Sequence, residues 1–235
     1  MDELTKLGLK HGTDKATGRM YTEKVYYPLM KDLKYEELSI LELGAGDHGS
    51  SHKMWRDFFP NAKITLFDPF FFDKTQYSVI TPEELRSYNI KVIEGNQLDP
   101  NDLELLNPGQ EKYDFIIDDA SHLNDATQMS LGHLFPFLKS GGHYIIEDLV
   151  CMTNRNGRVD EVNRWLDSKD IDQKKKKIYH RVDAHVASSA AFAYENMMID
   201  WPSRYMKTTQ KRYLLEQASG FSLPCEAEVL VIYKK

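Results

Sequence analysis

The sequence predicts an α/β fold: an open, mostly parallel sheet with helices on both faces. Three observations lead there. Short apolar runs at 39–43, 64–67, 90–93, 115–117 and 144–146 alternate with polar or helical stretches, the pattern of a sheet whose parallel strands are joined by crossover helices. The intervening segments carry helix signals of their own. Polar motifs follow three of these runs directly, Glu42-Leu43-Gly44-Ala45-Gly46, Asp118-Asp119-Ala120-Ser121-His122 and Glu147-Asp148, and the carboxyl ends of strands are where open α/β sheets bind ligands.

Taken in order, residues 1–38 read as an N-terminal helical cap, because Tyr21, Val25, Leu29 and Leu33 recur every four residues. Between its helices lies a polar loop, His11-Gly12-Thr13-Asp14-Lys15. Residues 39–235 read as the main domain. After its first strand, Ser50 and Ser51 suit the cap of a helix running to Phe58. Residues 128–138 set Leu131, Leu134, Phe135 and Leu138 at helical spacing, and Gly141-Gly142 is expected to stop that helix before the next strand. Further on, Val159, Val162, Trp165 and Leu166 suggest an amphipathic helix, 190–199 fits either strand or helix, and 228–233 reads as a final strand.

With 235 residues the chain can bury roughly 70 to 75% of its unfolded surface, enough for a core without staples. A net charge of −6 and a pI near 5.8 lack the basic footprint of a nucleic-acid binder and favour a small or neutral substrate. The lysines at 174–177 read as a solvated loop. Cys151 and Cys225 offer neither a disulfide framework nor thiolate zinc spacing, so a reduced, cytoplasmic setting is expected. The amino terminus has no signal-peptide character, and no run approaches the ~18 apolar residues of a membrane span.

Gly44, Gly46 and Gly49 make a GxGxxG spacing, which by itself serves several cofactors or only a tight turn. Glu42 sharpens it. A carboxylate two residues before the first glycine would repel a pyrophosphate but receive the ammonium of a methionine moiety, so S-adenosylmethionine is preferred to a dinucleotide. Asp68 ends the next strand, where an acid can accept ribose hydroxyl hydrogens. Gln97, in Gly95-Asn96-Gln97, is placed to reach the adenine edge, and one of Phe70, Phe71 and Phe72 is a candidate to stack on it, though turn and core roles compete in both cases.

Strands lie about 4.8 Å apart, so the ends of the runs before Asp119 and before Glu147-Asp148 would bring three carboxylates together. Oxygen-only ligation with positions left for substrate suits Mg²⁺, or Mn²⁺ or Ca²⁺, better than zinc. The alternative is that these acids cap the following helices. His122 is the best candidate for a general base, since histidine ordinarily titrates near 6.5, close to working pH. Neither His48 and His52 nor Ser121 fits a zincin or hydrolase pattern.

Four stretches, 11–15, 41–46, 117–122 and 144–149, together resemble the metal-dependent sugar O-methyltransferases of antibiotic biosynthesis, the mycinamicin type. The resemblance implies a Rossmann-like class I S-adenosylmethionine domain, with Asp119, Glu147 and Asp148 holding Mg²⁺ and His122 as base. It further implies that the loop bearing Thr13 and Asp14 closes over the cofactor's methionine end; Gly44, Gly46 and Asp118 are further candidates for binding the cofactor. The implied acceptor is a glycosidic or polyhydroxylated small molecule; a homo-oligomer is compatible with it. One departure is Ala120, where the family commonly has glycine. Two rivals remain: a hydroxylase-like or other metal-assisted enzyme on the same fold, and a non-catalytic nucleoside-binding partner, which would have no need of His122.

Overall fold

The computed structural model describes residues 1–46, 48–70, 80–107, 112–122, 124–149, 206–224 and 228–235. Its sheet has the order β3-β2-β1-β4-β5-β7-β6, with β1 Ser39–Leu43, β2 Lys63–Asp68, β3 Lys91–Glu94, β4 Tyr113–Asp118, β5 Leu138–Ile146, β6 Ala218–Ser222 and β7 Leu230–Lys234. The apolar runs expected as strands are β1 to β5, all parallel to one another. The final strand, β7, runs antiparallel to β5 and carries β6 antiparallel on its outer side. Strand order reverses between β1 and β4, which opens a crevice at their carboxyl ends.

Alternate residues of each strand feed two cores. On one face Ile40, Ile64, Phe115 and Ile145 meet Leu4, Tyr21, Tyr26, Trp55 and Phe58. These partners come from α1 (Glu3–His11), the turns at Thr22–Tyr26, and α4 (Ser50–Phe58). On the other face Leu41, Leu43, Ile116 and Tyr144 meet Leu103, Leu131, Leu134 and Leu214. Helices α6 (Pro100–Glu104), α7 (Asn124–Leu134) and α8 (Thr208–Gln217) supply them. The N-terminal segment also holds α2 (Asp14–Thr17) and α3 (Tyr27–Met30), while α5 (Pro82–Ser87) precedes β3. Among the described residues no helix is long and apolar enough to cross a membrane.

Several local expectations are corrected. The four-residue period from Tyr21 to Leu33 is not one α-helix but a wide π turn at Thr22–Tyr26, then α3, then a 3₁₀ turn at Lys31–Leu33. Helix α4 starts after Gly49, at φ +58, with no side-chain cap; Ser50 and Ser51 lie in its first turn. Helix α7 ends at Leu134, because Pro136 lacks the N–H that would continue the ladder and a 3₁₀ turn, Phe135–Phe137, follows. Gly141 and Gly142 stop no helix: they lie inside β5, where a Cβ on Gly142 would come 2.8 Å from the Asp114 carbonyl oxygen. Helix α8 and β6 had no counterpart in the sequence reading. The expectations at 159–166, 174–177 and 190–199, both cysteines, Phe71 and Phe72 lie outside the described residues.

Candidate active site

The crevice is built by a turn that only glycine permits. Leaving β1, Gly44 has φ +100, and its N–H donates to the Phe67 carbonyl oxygen at 2.9 Å. Its α-carbon abuts the end of β4, where the Asp119 N–H donates to the Leu43 carbonyl oxygen at 3.1 Å. At Gly46, with φ +56, no heavy atom of the described residues beyond its chain neighbours lies within 4 Å of where a Cβ would stand. Beyond it the chain enters α4, whose Ser50 and Ser51 also border the crevice.

The resulting cavity is about 790 Å³, large enough for a nucleoside cofactor beside part of an acceptor. Thr13 and Asp14 form one wall, Gly44 and Gly46 another, and Asp68 and Gln97 a third. Asp68 is fixed by backbone donors, Oδ2 accepting from Ala45 N at 2.8 Å and Oδ1 from Phe70 N at 2.6 Å. Phe70 packs partly buried against the core at φ +50. Gln97 is held on both sides: its Nε2 donates to Asp118 Oδ1 at 2.7 Å, and its Oε1 accepts from Ser121 Oγ at 2.9 Å. Asp118 is buried behind Gln97, and burial pushes its carboxyl up to about 7.

At the far end Asp119, His122 and Asp148 each offer a ligand atom, all within 4.8 Å of one another. His122 Nε2 lies 3.9 Å from Asp119 Oδ1 and 4.0 Å from Asp148 Oδ2. Asp148 is steadied by Tyr21, whose hydroxyl donates to Oδ1 at 2.8 Å, and by Arg19, 3.2 Å from Oδ2. His122 and Asp148 both adopt positive φ, +53 and +55. Such backbone costs of order 1–3 kcal/mol per residue and gathers at functional sites. Two carboxylates with room for other ligands match how Mg²⁺ is usually held, by one or two protein acids plus substrate and water.

Not every expected residue faces the cavity. Glu42 is fully buried in the core: Oε2 accepts from Trp55 Nε1 at 2.8 Å, and Oε1 lies 3.3 Å from Lys15 Nζ. Its side of β1 points under α4, so the ammonium it meets is that of Lys15, a correction to the role read from sequence. Glu147 is likewise turned away from the convergence of Asp119, His122 and Asp148; it accepts from the Tyr26 hydroxyl and from Lys15 Nζ, the latter at 2.9 Å. Lys15 also donates to Asp119 Oδ2. Burial would lower the lysine's pKa, but Asp119, Glu147 and Glu42 hold it well above its ordinary value, so it stays charged. Lys15, Arg19, Tyr21 and Tyr26 were missed as site residues. Lys15 stands in the polar motif at 11–15; Tyr21 reads as an apolar position of a helix.

No family model matches the chain. Over 153 residues, 63% of the chain, it is 31% identical to mycinamicin VI 2''-O-methyltransferase of Micromonospora griseorubida, covering 36% of that protein. It is 31% identical over an equal span to an 8-demethyl-8-(2-methoxy-alpha-L-rhamnosyl)-tetracenomycin-C 3'-O-methyltransferase of Streptomyces olivaceus, covering 37% of it. The chain thus spans little more than a third of the length of these curated relatives. Its fold superposes on the MycE methyltransferase of the mycinamycin biosynthetic pathway, solved with Mg, SAH and mycinamycin VI, with a TM-score of 0.70. That match has 21% identity over 99% of this chain and 54% of the other. The fold is therefore that of a Rossmann-like methyltransferase. Within that class, the resemblance to the sugar O-methyltransferases of antibiotic biosynthesis, first carried by short motifs, extends across the aligned residues.

Proposed function

We propose that the chain is an S-adenosylmethionine- and Mg²⁺-dependent O-methyltransferase acting on a hydroxyl of a sugar or other polyhydroxylated natural product, with His122 as general base. One observation carries the reading: a single cavity is bordered both by the glycine turn with Asp68 and by Asp119, His122 and Asp148. The relatives' names, one specifying a rhamnosyl substrate, support the acceptor class.

When bound, S-adenosylmethionine supplies an electrophilic methyl group, and a divalent ion stabilises negative charge on an acceptor oxygen. Asp119 and Asp148 would hold the ion. The chain's own task is orientation and proton transfer. Asp68, locked by Ala45 and Phe70, presents carboxylate oxygens to the nucleoside side of the cavity. Thr13 and Asp14 border the same cavity. His122 stands between the acids with Nε2 within 4.0 Å of both, beside the place of the ion-held acceptor hydroxyl whose proton it would take. Its side chain is 26% exposed, so that proton has a route to water.

The test is calorimetric titration of S-adenosylmethionine in Mg²⁺ and in EDTA, followed by labelled-methyl transfer to polyhydroxylated acceptors. Micromolar binding and a product heavier by one CH₂ are expected. Absence of binding in both conditions would remove the methyltransferase reading; a product of any other mass would favour the hydroxylase-like rival.

A further inference from the structure

The least ordinary group in the site is the ammonium of Lys15. Its side chain is 1% exposed, and it meets three carboxylates: Asp119 Oδ2, Glu147 Oε2 at 2.9 Å and Glu42 Oε1 at 3.3 Å. An ammonium has three donors, and here each faces an acid from the carboxyl end of a different strand, β1, β4 or β5. The lysine belongs to α2, directly after Thr13 at the border of the cavity, so one side chain ties that short helix to the middle of the sheet. Its contact with Asp119 is also oriented. Lys15 takes Oδ2, while Oδ1 is the oxygen turned toward His122.

We propose that Lys15 is a positioning residue of the ion site: by holding Asp119 through Oδ2 it presents Oδ1 where Asp119, His122 and Asp148 converge. The inference rests on the ion-binding reading above. Electrostatics alone predicts the opposite behaviour. A buried positive charge beside a cation site repels the cation, so a lysine that contributed only charge would tighten ion binding when removed. A lysine that orients a ligand would weaken it, and partners that orient metal ligands are worth roughly ten- to a hundredfold in affinity. The sign of the change separates the two.

The probe is Mn²⁺, followed through the spin-resonance signal of the free ion. Lys15→Met should bind Mn²⁺ roughly ten- to a hundredfold more weakly than wild type, and adding it to Asp119→Asn should cost little more than Asp119→Asn alone, because both changes remove one oriented ligand. Unchanged or tighter binding by a folded Lys15→Met protein overturns the inference. Removing Lys15 strands buried acids, so the variant's folding is checked by near-ultraviolet circular dichroism. Should it not fold, anomalous scattering from wild-type crystals with Mn²⁺ decides. An ion on the Oδ1 side, with the ammonium still on Oδ2, supports the role; an ion between Asp119 and Glu147 in the ammonium's place refutes it. Wild-type protein that binds no Mn²⁺ would remove the ion site itself, and this inference with it.

Discussion

Replacing Gly44 by alanine tests whether the crevice depends on the contact between β1 and β4. A Cβ there would stand 2.1 Å from the Asp119 carbonyl oxygen and 2.9 Å from the α-carbon of Ala120. Carbon–oxygen contacts settle at roughly 3.3 Å or more, so the end of β4 would have to move by about 1 Å. That movement strains two hydrogen bonds, Asp119 N–H to the Leu43 carbonyl at 3.1 Å and Gly44 N–H to the Phe67 carbonyl at 2.9 Å. Each contributes about 1 kcal/mol, and an L residue held at positive φ adds about 1–2 kcal/mol. The expected loss is roughly 3–4 kcal/mol, read from urea unfolding followed by tryptophan fluorescence. Gly46→Ala is the control, since among the described residues nothing beyond its chain neighbours lies within 4 Å of its Cβ position; it should lose only about 1 kcal/mol. Equal losses for the two variants, or less than about 1 kcal/mol for Gly44→Ala, would refute the reasoning.

His122→Ala should lower turnover by roughly 10²–10⁴ while leaving S-adenosylmethionine affinity nearly unchanged; full turnover in single-turnover assays would remove the base. Asp118 gives a pH dependence. Its folded pKa of about 7 lies above the ordinary 3.8, so the unfolded chain releases this proton first and stability falls as pH rises from about 4 to about 7, then levels. The full effect is on the order of 4 kcal/mol. Asp118→Asn keeps the oxygen that Gln97 bonds and should gain on wild type across that window; a stability difference equal at pH 5 and pH 8 would contradict the burial argument.

Much of the sheet was legible because a strand buried on both faces reads as a short, mostly apolar run, as β1, β2, β4 and β5 do. That the glycines at 44 and 46 and the acids at 68, 119 and 148 would border one crevice was legible for a related reason: each lies at the end of such a run or a few residues beyond it, so its position in space is fixed by the strand before it. Glu42 was misplaced because it lies within the strand, where the direction of a side chain depends on which helix covers that face. Lys15, Arg19, Tyr21 and Tyr26 were invisible for a different reason. Their partners lie more than a hundred residues away, as with Lys15 and Glu147 or Tyr21 and Asp148, and local pattern carries no information about such pairings. Strand β6 alternates half-buried and exposed residues over a Gly-containing stretch, too weak a signal to read.

The acids of the site are held by residues far apart in the sequence. Tyr21 bonds Asp148 across 127 positions and Glu228 across 207, and the Leu149 N–H reaches the Glu228 carbonyl oxygen at 3.0 Å. Contacts of such long range are completed only after large loops have closed, so the parallel strands can pair while the site is still unassembled.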